Sequence, residues 1–126
     1  QESFDRTLQY MKERKQFGAL IGSFQALQHR TAHWWSEIEM CKSVVLKVLQ
    51  SLDEGDVKSP ALASIAKAKL CEVAELSTNE AIQLHGGIGM TDEYEIGFFI
   101  KRARPAQMLF GDYNYHANRF ALISGY

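Results

Sequence analysis

Apolar side chains recur along this chain three and four residues apart, and no segment alternates apolar and polar residues as a half-buried strand would. Phe4, Leu8 and Met11 stand at i, i+4 and i+7 and predict a first helix from Ser3 to Phe17, ended by Gly18. A longer helix is predicted from near Ser23. Its seam is almost a heptad repeat through Phe24, Leu27, Thr31, Trp34, Ile38, Cys41, Val45, Val48 and Leu52, with Arg30, Glu37, Lys42 and Lys47 on other faces. "DEGDVKSP" then reads as a loop, with Ser59 as a cap and Pro60 at the first position of a third helix reaching His85. That helix carries Leu62, Ile65, Ala66, Val73 and Leu76, and its many alanines suit close packing. "TDEYEIGFFIKRAR" predicts a loop and a short helix, kinked or restarted at Pro105. Asp112 caps a last helix. The expected fold is all-α, an up-down four-helix bundle forming one domain over residues 1–126.

Composition narrows the function. A formal net charge of −1 gives no basic surface for nucleic acid or anionic membrane. No apolar run is long enough for a membrane span. Cys41 and Cys71 both fall in apolar helical positions, which predicts buried free thiols and a reducing compartment: cytoplasm, or the mitochondrial matrix in a eukaryote. His29, His33 and Glu37 share one helix stripe, but a closed site needs about four ligands and no second set exists, so no metal is expected. The chain opens on Gln1 rather than methionine and reads as a processed or excised piece of something longer.

Two segments carry possible chemistry. In "QLHGGIGM", Gly86, Gly87 and Gly89 follow a helix; they form either a helix cap and turn, or a loop whose free amides meet a phosphate beside Gln83. A preceding helix excludes the strand-first dinucleotide fingerprint. In "ERKQFG", Arg14 and Lys15 are either a solvated helix end or a cationic fork for phosphate, with Phe17 set against a ring. Taken singly, each segment leaves both readings open.

Together, "YMKERKQFG…FQALQH", "AIQLHGGIGMTDEY" and "KRAR" resemble the C-terminal helical domain of the acyl-CoA dehydrogenase family, over essentially the whole chain. The combination is specific where each piece is weak. The resemblance implies FAD as cofactor, an acyl-CoA substrate, an acceptor such as an electron-transfer flavoprotein, and an oligomer built as a dimer of dimers. It implies that Arg14, Gln16 and Phe17, with Gln25, contact the diphosphate and adenine end of the flavin. Gln83, Gly86 and Gly87 would meet the adenosine-pyrophosphate part of a neighbouring subunit's FAD.

The sequence also departs from that family. Where many members carry the glutamate base that removes the α-proton, ungapped alignment places Phe110. Gly111 keeps the family's glycine, Asp112 replaces a threonine, and Asn114 falls on a glutamine that helps hold FAD. Three sources of a base stand open: a carboxylate upstream of Gln1, Asp112 after a small shift, or a partner chain of which this one is the non-catalytic companion. The N-terminal helical and middle β-domains of the family are not in this stretch, so the isolated piece is expected to be colourless and inactive. The rival to all of this is a helical oligomerisation module with no cofactor.

Overall fold

The computed structural model describes all residues from Gln1 to Tyr126. Five α-helices are present: α1 (Glu2–Glu13), α2 (Gln25–Asp53), α3 (Ser59–His85), α4 (Ile96–Met108) and α5 (Tyr113–Ser124). A two-stranded antiparallel hairpin, β1 (Lys15–Gln16) and β2 (Ala19–Leu20), sits between α1 and α2, with Lys15 opposite Leu20 and Gln16 opposite Ala19. Helices α4 and α5 make one leg: Gln107 in α4 reaches the Cys71 carbonyl near the middle of α3, and Arg119 in α5 reaches Pro60 at its start. The result is four legs running up, down, up and down, the expected bundle.

Helix α3 is the hub, packing against α1, α2, α4 and α5. A helix covered from several sides needs small residues on more than one face, and α3 buries Ser64, Ala66, Cys71, Ser77, Thr78 and Ala81. Its buried hydroxyls are satisfied within the bundle. Thr78 donates to the Ala74 carbonyl, and Ser77 accepts from the indole of Trp34 at 2.8 Å. Trp34 is fully buried and meets Phe4 edge-on, 4.9 Å between centroids. Its neighbour Trp35 lies half-exposed under the Lys42 ammonium, so only one of the adjacent tryptophans is on the seam. Two ion pairs clamp α2 to α3: Arg30 grips both carboxylate oxygens of Glu80 at 2.9 Å, and Lys69 reaches Glu37 at 2.5 Å.

Several boundaries differ from expectation. The first helix stops at Glu13, four residues before Phe17, because Arg14 turns extended and Phe17 and Gly18 both take positive φ, 55° and 79°. Two successive left-handed residues make the tight turn whose twist matches a hairpin. Helix α2 starts at Gln25, after a 3₁₀ turn over Ile21–Ser23. Ser59 is the first helical residue rather than the cap, and its hydroxyl donates backward to the Asp56 and Ser51 carbonyls. Pro105 does not end α4, which runs on to Met108 with Lys67 donating to the Ala106 and Gln107 carbonyls. The α2 seam is fully buried only at Trp34, Ile38 and Cys41. Helix α1 has 12 residues against 29 in α2, roughly 18 Å against 44 Å at 1.5 Å per residue. Beyond its reach Leu46, Leu49 and Leu52 stay exposed.

Both cysteines are free and buried, as expected. Burial pushes the Cys41 thiol up, away from reactive thiolate character. No group of three or more metal-ligating side chains converges anywhere, and Glu37 of the histidine stripe is held by Lys69. No helix is long and apolar enough to cross a membrane.

Candidate functional site

Because α1 and α3 run parallel and α2 returns against them, the C-terminal ends of α1 and α3 and the N-terminus of α2 share one end of the bundle. Seven of the predicted site residues meet there. Arg14 sits just past α1, its amide closing on the Tyr10 carbonyl and its own carbonyl accepting from Ile21. That backbone pair fixes the hairpin to the helix end. The Arg14 and Lys15 side chains have no ion-pair or hydrogen-bond partner, unlike Arg6, Arg30 and Lys69, which are all paired. Gln16 lies on β1 and Phe17 on the turn, where its ring is 95% exposed and stands 6.4 Å from that of Phe24. Gln25 opens α2 with an exposed side chain, at the positive end of that helix's dipole.

The glycine turn begins where α3 stops. Gly86 caps α3 with φ 67° and ψ −145°, its amide bonding back to Gln83 and Ile82 carbonyls, and the chain continues as a 3₁₀ turn over Gly86–Met90. The three glycines answer to different constraints. Gly86 needs its backbone angles, which are open almost only to glycine. Gly89 needs its missing side chain: a Cβ there would lie 2.9 Å from the Ile82 carbonyl oxygen and 3.0 Å from His85 Cβ. Gly87 has neither requirement, since its φ is not positive and a Cβ there would meet no atom within 4 Å. Its side faces open space, with Gln83 exposed one turn earlier.

Tyr10, which motif spacing does not single out, ties the two halves. Its ring stacks on His85 at 4.2 Å, and Tyr94, from the loop before α4, meets both, 4.9 Å from His85 and 6.0 Å from Tyr10. The spacing from Tyr10 to Arg14 is the one signal available in sequence, one helical turn before the basic pair. His85 is buried, as packing would have it; Nδ1–H donates to the Ala81 carbonyl at 2.7 Å, and Nε2 has no partner. Burial holds its pKa below the ordinary 6.5.

The remaining predicted residues are elsewhere. The α4–α5 junction packs beside Cys71 and Glu72, roughly 20 Å down the bundle from His85 at 1.5 Å per residue of α3. There Phe110 takes φ 62° with its ring 85% exposed, and Gly111 follows at φ 99°. A Cβ on Gly111 would strike the Tyr115 ring at 2.3 Å. Asp112 is the N-cap of α5, its Oδ1 accepting from the Tyr115 amide at 2.9 Å. Asn114 is exposed on the first turn of α5 beside the same cleft. His116 donates from Nε2–H to the Phe110 carbonyl at 3.0 Å, which pins the strained residue.

Comparison with known proteins agrees with this architecture. Residues 1–122 match the family model described as "Acyl-CoA dehydrogenase, C-terminal domain". The chain is 38% identical over 109 residues to the acyl-CoA dehydrogenase IpdE2 of Mycolicibacterium smegmatis, covering 85% of this chain and 32% of that protein. It superposes on the crystal structure of an acyl-CoA dehydrogenase from Geobacillus kaustophilus with a TM-score of 0.92 at 30% identity, over 98% of this chain and 32% of that one. It likewise matches the FAD complex of PigA, with a TM-score of 0.91 at 27% identity over 98% of this chain and 32% of that one. The chain thus spans about a third of the length of the relatives it matches.

Proposed function

This chain belongs to the acyl-CoA dehydrogenase family, as its C-terminal domain, and from that premise we propose that it supplies the FAD-contacting and subunit-assembling part of an enzyme that dehydrogenates an acyl-CoA thioester between its α and β carbons. One observation carries the reading. At a single end of the bundle, an unpaired guanidinium, an exposed aromatic ring on a two-residue turn and a glycine with no internal reason to lack a side chain stand together.

The residues fit the group. A diphosphate is a dianion with pairs of non-bridging acceptor oxygens on each tetrahedral phosphorus, and Arg14 offers a free planar fork of donors to such a pair. Gly87 permits backbone amides to approach an anion without a side chain intervening. Phe17 presents a ring face for an aromatic base, and Gln16, Gln25 and Gln83 add neutral donors and acceptors. FAD, when bound, would accept the β-hydride; this chain's part is to hold and orient it. The exposed row Leu46, Leu49 and Leu52 on α2 supports assembly with further chains, as a homo- or hetero-oligomer arranged as a dimer of dimers. An acyl-CoA and an electron acceptor such as an electron-transfer flavoprotein complete the expected partners, in the cytoplasm or a mitochondrial matrix.

Abstraction of the α-proton needs a base within hydrogen-bond reach. Phe110 cannot serve, and the Asp112 carboxylate is engaged as a helix cap. The reading therefore favours a base from upstream of Gln1 or from a second polypeptide over Asp112, and the second polypeptide would make this a non-catalytic partner chain. The pinned, exposed Phe110 favours neither source over the other. The isolated 126-residue piece should be colourless and inactive.

The test is the visible absorbance of the complete protein, produced alone and with a neighbouring paralogue. A flavin band bleached by acyl-CoA in the lone protein supports an upstream base; a bleachable band only after co-expression supports the partner chain. Arg14→Ala should lose flavin in either case. No flavin under any condition, or full flavin in Arg14→Ala, would sink the reading and leave an assembly module.

A further inference from the structure

The buried imidazole of His85 is used by none of the chemistry above, yet it sits between the two halves of the proposed cofactor surface. Its ring stacks on Tyr10 from α1 and meets Tyr94 from the loop before α4 at a tilt, while the two tyrosine rings also touch each other edge-on at 6.0 Å, so the three form a closed aromatic cluster. The Tyr10 hydroxyl points back to the His85 carbonyl at a long 3.4 Å. Tyr10 lies one turn before Arg14, and its carbonyl receives the Arg14 amide. His85 directly precedes Gly86, and its Cβ closes against Gly89. The stack is thus the side-chain link between the hairpin base and the glycine turn.

We propose that the Tyr10–His85–Tyr94 cluster is a positioning device that sets the glycine turn against the Arg14 hairpin, and that it works only while His85 is neutral, so that acid loosens the turn and releases the bound dinucleotide. The proposal rests on the flavin reading above for the identity of the ligand, but not for the behaviour of the turn.

The geometry carries it. Nδ1–H is committed to the Ala81 carbonyl, and Nε2 is sealed without a partner. A proton arriving at Nε2 would place a charge and a new donor where no acceptor waits, which a buried site penalises. No carboxylate of the protein offsets it. The groups against the ring are the two neutral phenols, from α1 and from the loop. The charges of the adjoining cleft are Arg6, Glu13, Glu93 and Glu95; Arg6 is already paired with Glu95, and none of them shifts the imidazole. Desolvation is the leading cause of the lowered pKa, and the Ala81 hydrogen bond opposes it. The sign follows. The folded pKa lies below the unfolded 6.5, so the packed state is fully favoured above 6.5 and loses ground as pH falls from there through the folded value. Phenylalanine at this position would keep the stack and remove the proton site.

Two readouts on the complete protein decide the matter: FAD affinity from quenching of flavin fluorescence, and amide hydrogen exchange of the segment 86–90 corrected for intrinsic rate, each followed from neutral to acid pH. In the wild type, affinity should be constant above 6.5, weaken by at most about tenfold per pH unit as pH falls from there and level off below the folded value, with exchange protection of the turn lost in parallel. His85→Phe should match the wild type at neutral pH and stay flat in acid on both readouts. Tyr10→Leu should weaken both at every pH. An acid response in His85→Phe equal to the wild type, or a silent Tyr10→Leu, overturns the proposal. Should the protein bind no FAD at any pH, the flavin reading falls. Exchange alone then judges the stack: acid loss of protection in the wild type but not in His85→Phe supports it, and equal loss in both overturns it.

Discussion

A methyl group added to the glycine turn should act in opposite ways two residues apart. At Gly89 the new Cβ would lie 2.9 Å from the Ile82 carbonyl oxygen, 3.0 Å from His85 Cβ and 3.3 Å from Ile82 Cα. Two of these are backbone atoms of α3, so relief requires the helix end itself to move. Forcing extra volume into such a site costs about 1–3 kcal/mol, or a fall in Tm of about 4 °C per kcal/mol for a domain of this size. At Gly87 no atom lies within 4 Å, and φ is not positive. Gly87→Ala should therefore stabilise the fold by about 0.4–1 kcal/mol through the unfolded chain. Its cost appears only with ligand, because the methyl group occupies the space an anion must enter to reach the backbone amides. Losing one charge-assisted hydrogen bond is worth about 1.5–3 kcal/mol, a loss of affinity of about tenfold or more. Urea unfolding followed by far-UV circular dichroism gives the first quantity, and flavin titration of the complete protein gives the second. Gly87→Ala with a stability loss like that of Gly89→Ala, or with unchanged flavin affinity, would refute the reasoning.

Further outcomes follow from single contacts. Ser77→Ala orphans the fully buried Trp34 indole N–H and should cost about 1–3 kcal/mol; in a double-mutant cycle with Trp34→Phe, an interaction energy near zero would contradict that pairing. Gly111→Ala combines φ 99° with a 2.3 Å clash against Tyr115, so thermal melting should show a drop of several degrees, whereas a neutral result would mean the α4–α5 junction adapts freely. The Lys69 amine is held above its ordinary 10.5 chiefly by its hydrogen bond to Glu37. Its contribution is whole below 10.5 and lost as pH rises through the folded value, so Glu37→Gln should flatten the stability loss that the wild type shows above pH 10.5.

The helices and their order were legible in the sequence because burial of an apolar stripe imposes a three-to-four-residue period that survives in the primary structure. The buried Trp34–Ile38–Cys41 core of α2, the breaks at Gly55 and Gly86 and the cap at Asp112 were readable for that reason. Motif spacing likewise exposed Arg14 and the glycines. Other features depend on contacts between segments distant in the chain. The hairpin at Lys15–Leu20 hid behind Phe17, a residue that rarely adopts positive φ and here does so beside Gly18. The exposure of Leu46, Leu49 and Leu52 in the lower half of α2 followed from the short reach of α1, which no pattern within α2 records. The serines and threonine buried in α3 became intelligible only once that helix was seen to be covered from several sides. Tyr10, His85 and Tyr94 carry no joint signal in sequence, since their apposition exists only because α1 and α3 end side by side. Local periodicity and turn chemistry thus determined what each segment is. Packing decided which end of the bundle gathers the basic hairpin with the glycine turn, and which of three glycines is left open to something outside the chain.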